Sequence, residues 1–480
     1  MKTKQDIVLW LEDNQQDFIS QSEQIWQFAE IAHKEFKSAR LQASYLEKQG
    51  FSITWNIGGL KTAFVAEWGE GKPVLGFIGE FDALPGLSQK VLSDPEPLLV
   101  NGPGHGCGHN LLGTGCLAAA VAVKKWLEAN ESKATIRYYG CPAEENTYGK
   151  PFMARAGVFD DLDVAFNYHP SYINAPAKAR YVGVNDLRFR FTGKSAHAGG
   201  SPHLGRSALD AVELMNVGVN YLREHVVDTV RMHYAITKGG DAPNIVPENA
   251  EVWYFIRALT PEEQVDVLER VRKIARGAAM MTETEVEEVF QSACSSTINN
   301  HYLADLHFEV MQSLEPIQYT AEELNFAEAI NKHFPEKNVS NVYKLFDNAP
   351  PTYQEEAEKI RGNALVTGNY PSLDANKIET FSTDVGDVSQ IVPLTMLGVT
   401  CFTTGSPGHS WGNTATSGMS IGQKGMLHAA KIMALSAVEC IENPQHIENA
   451  RSELEGITKG AAYQCPIPDH FQPPQFEEQE

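Results

Sequence analysis

Long apolar runs are missing from this sequence. No stretch of about 18 uninterrupted apolar residues occurs, so no membrane-spanning helix is expected. Basic charge is scarce: 39 Lys and Arg stand against 61 Asp and Glu, a net charge of −22. With no basic stripe, a nucleic-acid partner is not expected. Cysteine is sparse too. Seven thiols lie far apart, at positions 107, 116, 141, 294, 401, 440 and 465. An odd number at such spacing excludes a disulfide framework as the organising principle. The N-terminal MKTKQDIVLWLEDNQQ interrupts its apolar residues with acids and amides, and holds no signal-peptide core. No internal repeat is visible. These absences point to a reduced, cytoplasmic protein.

What is present is an ordinary globular balance, 42% hydrophobic and 21% charged over 480 residues, enough for two or three domains. Residues 5–49 read as amphipathic helix in two pieces, with Gly50 as the stop. Strands are expected at Thr62–Trp68, Pro73–Phe81, Thr135–Cys141 and Val164–Tyr168. The second is almost continuously apolar, as a strand covered on both faces should be. An alanine-rich run from Leu111 to Trp126 reads as a buried helix, and a further helix falls near 147–157. Strand and helix alternate, and polar residues follow each strand. The expectation is an α/β fold with an open sheet and a site at the carboxyl ends of its strands.

Residues 186–297 have a different order: strand Leu187–Thr192, helix Gly205–Glu224, strands Met232–Thr237 and Glu251–Ala258, helix Pro261–Met281, strand Glu285–Phe290. This is β-α-β-β-α-β, a ferredoxin-like α+β unit. It reads as an insert within an α/β domain made of 1–185 and 298–480. Helices are expected near 303–314 and 321–333. The segment DNAPPTYQEEAEKIRGN, residues 347–363, mixes prolines, acids and glycine and resists assignment. A strand at Val399–Thr403 and a helix at Gly422–Ile441 close the chain, and the proline- and acid-rich tail from Cys465 is expected to fray.

Chemistry concentrates in a few loops. In Gly104-His105-Gly106-Cys107-Gly108-His109-Asn110, a glycine-flanked turn can aim Cys107 and His109 at one ion. Alone, such a pair is incidental more often than not. Glu144-Glu145 in CPAEEN, His169 in NYHP, His409 in GSPGHSW and Asp82 in GEFDALPG each follow a predicted strand. Each alone reads as a solvated corner or a packed histidine. In a parallel sheet, however, these loops converge. Cys107, His109, a glutamate, His169 and His409 then make an N/O/S set suited to zinc-like ions, and five ligands favour two ions over one. One of the adjacent glutamates can bind metal while the other handles a proton. In the insert, His197, Asn244 and Arg257 suit an oxyanion or a carboxylate, although their position alone favours turn and edge roles.

The ordered set GEFDALPG, GHGCGHN, CPAEE, NYHP, FTGKSAHAG, GGDAPNIVP and PGHSW resembles the dinuclear metallopeptidase family of aminoacylase and carboxypeptidase G. The cysteine-bearing loop is similar to that of its amidohydrolase branch, which hydrolyses N-acyl amino acids. CGHNLLGT, SPHLGRSALDAV, STDVGDVS and YQCPIP resemble the aminobenzoyl-glutamate subgroup within that branch. The resemblance covers nearly the whole chain and is weakest at 315–375. It implies a zinc-peptidase-type mixed-sheet catalytic domain with the insert as a lid and dimerisation module. It implies Cys107, His109, Glu145, His169 and His409 as ligands of two divalent metal ions, Mn2+ or Zn2+. Glu144 would be the general base and then the acid, and Asp82 a carboxylate supporting a ligand. His197 would steady the oxyanion in a neighbouring subunit's site, and Asn244 and Arg257 would bind the substrate's carboxylate end. Asn110 departs from the family's usual aspartate, and Glu80 stands where many relatives carry a ligand histidine.

The resulting expectation is a metal-dependent amidohydrolase acting on a small N-acyl amino acid, p-aminobenzoyl-glutamate or a related folate fragment foremost. The partner expected is a second copy joined through the insert, or a sister subunit. Other N-acyl amino acids or dipeptides remain open as substrates. Two competing readings are a thioester-forming enzyme with Cys107 as nucleophile, and a non-catalytic metal- or ligand-binding subunit.

Overall fold

The computed structural model describes residues 1–478. Strands β1 (Ser52–Trp55), β2 (Phe64–Gly69), β3 (Val74–Glu80), β4 (Thr135–Cys141), β5 (Val164–Ser171) and β6 (Ala175–Pro176) precede a second sheet. That sheet holds β7 (Gly183–Thr192), β8 (Arg231–Lys238), β9 (Asn249–Ala258) and β10 (Glu285–Cys294). The chain then returns to the first sheet through β11 (Leu394–Thr400). The main sheet runs β1-β2-β4-β3-β5-β11-β6. Its four central strands β4, β3, β5 and β11 are mutually parallel, while β1, β2 and β6 pair antiparallel at the two sides. The fold is therefore α/β with a mixed sheet.

Every residue of β3 is buried, which explains its unbroken apolar run. Burying Phe77 and Ile78 contributes on the order of 1.5–3 kcal/mol each. Helices His109–Asn130 and Ser420–Glu442 pack on one face of the sheet, and Val121, Ala118, Met426 and Ala430 share one apolar core with β3 and β5. The amino-terminal region forms three helices, Lys4–Asp13, Gln15–Phe28 and Phe36–Lys48, rather than two. A left-handed Ala29 ends the second, and residues 29–35 make a turn that reaches the site.

The second sheet is antiparallel, in the order β10-β7-β9-β8, with helices Ala208–Leu222 and Pro261–Thr282 against it. Thr260 caps the second helix in a capping box with Glu263. This sheet has its own core, including Phe189, Val212, Tyr254 and Val271.

The expected helix near 321–333 is Ala321–Asn331, and two further helices follow it, Glu336–Tyr343 and Pro351–Ile360. The last two bury a small cluster of Tyr343, Phe346, Ala357 and Tyr370 with Ile173 and Ala175. The tail does not fray as its composition implies. Arg155 donates to the Pro468 and Phe471 carbonyls, both at 3.0 Å. Phe476 stacks on His33, and Glu477 pairs with Lys61 at 2.6 Å. Proline leaves no N–H to satisfy and Phe471 and Phe476 anchor the tail, so an irregular segment stays packed. No helix among the described residues is long and apolar enough to cross a membrane.

Candidate metal centre

The carboxyl ends of the parallel strands converge on one edge of the main sheet. β3 ends at Glu80 and leads into Asp82; β4 leads into Glu144 and Glu145; β11 leads towards His409. His169 lies inside β5 rather than after it. Cys107 precedes helix His109–Asn130, and His109 is its first residue. Gly108 between them has φ 81°, open to glycine without cost, and a Cβ there would fall 2.9 Å from the Pro170 ring. A Cβ on Gly104 would fall 2.1 Å from the Leu87 carbonyl oxygen, so the loop enters too close to that backbone for any side chain.

Three groups of ligand-type atoms result, each with members within 4.8 Å of one another: Cys107, His109 and His169; Cys107, Glu145 and His409; and Glu80, His109 and Glu144. Cys107 Sγ lies 3.3 Å from His169 Nε2. Half-exposed His409 places its Nε2 3.6 Å from Glu145 Oε2. The five residues expected as ligands therefore fall in two groups that share Cys107, and His109 links them to Glu80 and Glu144.

Hydrogen bonds fix which imidazole nitrogen is free. His109 Nδ1 donates to Asp82 Oδ1 at 2.9 Å, and His169 Nδ1 donates to the Pro170 carbonyl at 2.8 Å. In the neutral rings both Nε2 lone pairs then face the cluster, which is the arrangement a metal ligand requires. The other Asp82 oxygen accepts the Glu145 N–H at 2.9 Å. His109 Nε2 sits 3.2 Å from Glu80 Oε2 without a hydrogen bond. It and Glu145 Oε1 are buried polar atoms lacking any hydrogen-bond partner among the described residues. Buried orphans of that kind beside a thiol and imidazoles fit divalent cations.

Burial and neighbouring charges shift the titratable groups of the cluster in both directions. Burial, and then the Glu145 carboxylate, push the Cys107 thiol well up. Burial pushes Glu145 to about 7, and burial with Glu80 and Glu145 pushes Glu144 well above the carboxylate range. Burial and His109 push His169 down to about 4. His109 shifts the opposite way: burial lowers it, but the Cys107 and Asp82 groups outweigh that and hold its imidazole well above the usual histidine range.

Lys150 is a site residue that sequence reasoning misses. Its ammonium is fully buried, 2.6 Å from Glu80 Oε1 and paired with Asp384. Asp384 also accepts the Lys150 backbone N–H at 2.9 Å. Lys150 stands in a short, otherwise mostly apolar helix, and Asp384 lies in the STDVGDVS motif; no local pattern links them.

A cavity of about 650 Å³ opens on this edge, and Cys107, Glu144, Glu145, His169 and His409 line it. Arg257 also lines it, donating to Ser382 Oγ at 2.6 Å. An apolar arm is made by Tyr172, Ile173, Leu345, Leu373, Met396 and Phe402. His197 and Asn244 are exposed and do not line it. They sit together elsewhere, where Ala198 N–H bonds the Asn244 carbonyl at 2.9 Å. His197 Nδ1 accepts from Gly199 and Gly200.

Comparison with known proteins agrees with this architecture. Residues 182–280 match the family profile of the peptidase dimerisation domain. The chain is 41% identical to one of the subunits of the p-aminobenzoyl-glutamate hydrolase of Escherichia coli, covering 96% of this chain and 97% of that one. It is 28% identical to Xaa-Arg dipeptidase of Mus musculus, covering 90% and 88%. A Bacillus subtilis structure described as a dinuclear metal-binding peptidase of the M20 family superposes with a TM-score of 0.55, at 18% identity, over 90% of this chain and 99% of that one.

Proposed function

The chain belongs to the M20 family of metallopeptidases and is a metal-dependent hydrolase, and from that premise we propose that it cleaves the amide bond of an N-acyl amino acid, p-aminobenzoyl-glutamate foremost. The observation that carries the reading is the pair of ligand-type groups, Cys107 with His109 and His169 and Cys107 with Glu145 and His409, that share the Cys107 sulfur beside the cavity. These five would hold two divalent ions, zinc by the softness of the thiolate and imidazoles, with manganese the alternative.

Bound there, such ions supply Lewis acidity that polarises the scissile carbonyl and makes a water acidic. Glu144, beside Glu145 and facing the cavity, takes the proton from the attacking water and hands it to the amide nitrogen as the amine leaves. Asp82 keeps the His109 ring oriented. The apolar arm suits an aromatic acyl group, and Arg257, braced by Ser382, suits the carboxylate of the amino acid.

Residues 186–297 would act as the inserted lid between the two segments of the catalytic domain, 1–185 and 298–480. Dimerisation through that insert would let exposed His197 reach a partner's cavity to hold the oxyanion, with Asn244 nearby for the carboxylate end. The E. coli relative is named as one subunit of its hydrolase, so a sister subunit is part of this proposal. All seven thiols are free, in keeping with a cytoplasmic location.

The test is hydrolysis of a panel of N-acyl glutamates by zinc- or manganese-loaded protein, alone and with a sister subunit. Glutamate release that a chelator abolishes and metal restores supports the reading. Glu144→Gln should keep its metal and lose about 10²–10⁴ in kcat. Near-wild-type turnover by that variant would overturn the base assignment, and no hydrolysis by any metal-loaded form would overturn the function.

A further inference from the structure

The loop carrying Glu144 and Glu145 is gripped from outside the metal centre. Glu35 is fully buried. Its Oε1 accepts the Ala143 N–H at 2.9 Å and its Oε2 accepts the Thr62 hydroxyl at 3.1 Å. Neither partner is a cation, so this carboxyl is buried without a hydrogen-bonded counter-charge, an arrangement that costs free energy. The residue it holds, Ala143, has φ 63°, a left-handed conformation that an L residue with a Cβ adopts only at a cost. The next residue is Glu144.

The same turn reaches the loop a second time. His33, itself at φ 63°, bonds the Thr147 hydroxyl through Nε2. Residues 33 and 35 thus hold residues 143 and 147, on either side of the adjacent glutamates. The turn is in turn tied to the end of β3, where the Ala83 N–H donates to the Glu30 carbonyl at 2.8 Å and Ile31 bridges Ala83. Strain at Ala143, an uncompensated buried carboxyl and a two-point grip all fall on the segment that presents the two carboxylates.

We propose that the His33–Glu35 turn is a clamp, and that Glu35 is a positioning residue holding the left-handed bend that aims Glu144 and Glu145. Glu35 acts through backbone, not on substrate or metal. Its effect on turnover rests on the roles proposed above for those glutamates; its effect on the loop does not.

The experiment measures two things on the metal-loaded full chain: hydrogen–deuterium exchange at the amides of residues 143–147, and kcat and KM for p-aminobenzoyl-glutamate. Glu35→Leu should speed exchange there and lower kcat by about a hundredfold, the scale of a 1 Å misplacement. KM should stay within about threefold, since ground-state binding is untouched. Glu35→Gln keeps an oxygen for the Ala143 N–H and should restore both readouts. Ala143→Gly adopts the bend freely, so in its background the Glu35→Leu step should shrink. Thr147→Val releases the other end of the clamp without emptying a buried site, and should act in the same direction. It decides the matter if Glu35→Leu does not fold. Unchanged exchange in Glu35→Leu, a Glu35→Gln defect as deep as that of Leu, a step undiminished in Ala143→Gly, or silence in Thr147→Val would each overturn the clamp. Exchange decides it even where no substrate is turned over.

Discussion

Asp82 and His109 are joined by a 2.9 Å hydrogen bond from the ring Nδ1 to the carboxylate, with both side chains fully excluded from solvent. The bond fixes the tautomer that leaves Nε2 facing the cluster. The second oxygen of Asp82 receives the Glu145 N–H, so one carboxylate orients two of the proposed ligands. Asp82→Asn should therefore weaken metal affinity by about 10–100-fold. Competition with a chelating indicator reads this directly, and unchanged affinity would remove Asp82 from the account.

Lys150 lies between Glu80 and Asp384 with all three side chains buried. Removing the ammonium leaves two carboxylates uncompensated in the interior, so Lys150→Met should lower stability by about 3–5 kcal/mol. Chemical denaturation of the metal-free protein measures this. A loss under about 1 kcal/mol, the range of exposed pairs, would mean that water reaches the triad.

His307 is buried beside Ser436, 2.8 Å from its hydroxyl, and burial pushes its pKa from 6.5 down to about 4. The unfolded chain takes up that proton as pH falls through 6.5, while the folded one resists until about 4. The stability linked to this group is present above pH 6.5 and is lost as pH falls towards 4, by at most roughly 3 kcal/mol. His307→Gln should show a shallower loss of denaturation midpoint between pH 7 and 5 than the wild type. An identical slope would mean that His307 is protonated in the folded state.

Legibility in the sequence follows the range of the interactions. The buried β3 can be read from its own composition, as can the split β-α-β-β-α-β order, because both depend on local pattern. The parallel sheet then accounts for why loops as distant as Cys107 and His409 end side by side. Lys150 and Asp384 cannot be read this way: they are 234 residues apart and meet only through the fold. His197 and Asn244 can be picked out from their motifs, but only the structure shows them exposed and away from the cavity lining. The helices Glu336–Tyr343 and Pro351–Ile360 stay hidden because they are short and their few apolar residues pack on Ile173 and Ala175. The packing of the tail escapes a reading by composition, because proline and acid also describe a segment that packs through Phe471 and Phe476.

The most direct test of the central claim is anomalous scattering from crystals of the zinc-loaded protein, collected at the zinc edge. The account predicts two zinc peaks among Cys107, His109, Glu145, His169 and His409, with one peak contacting the Cys107 sulfur. Full loading with zinc bound elsewhere and these five side chains free of metal would contradict it.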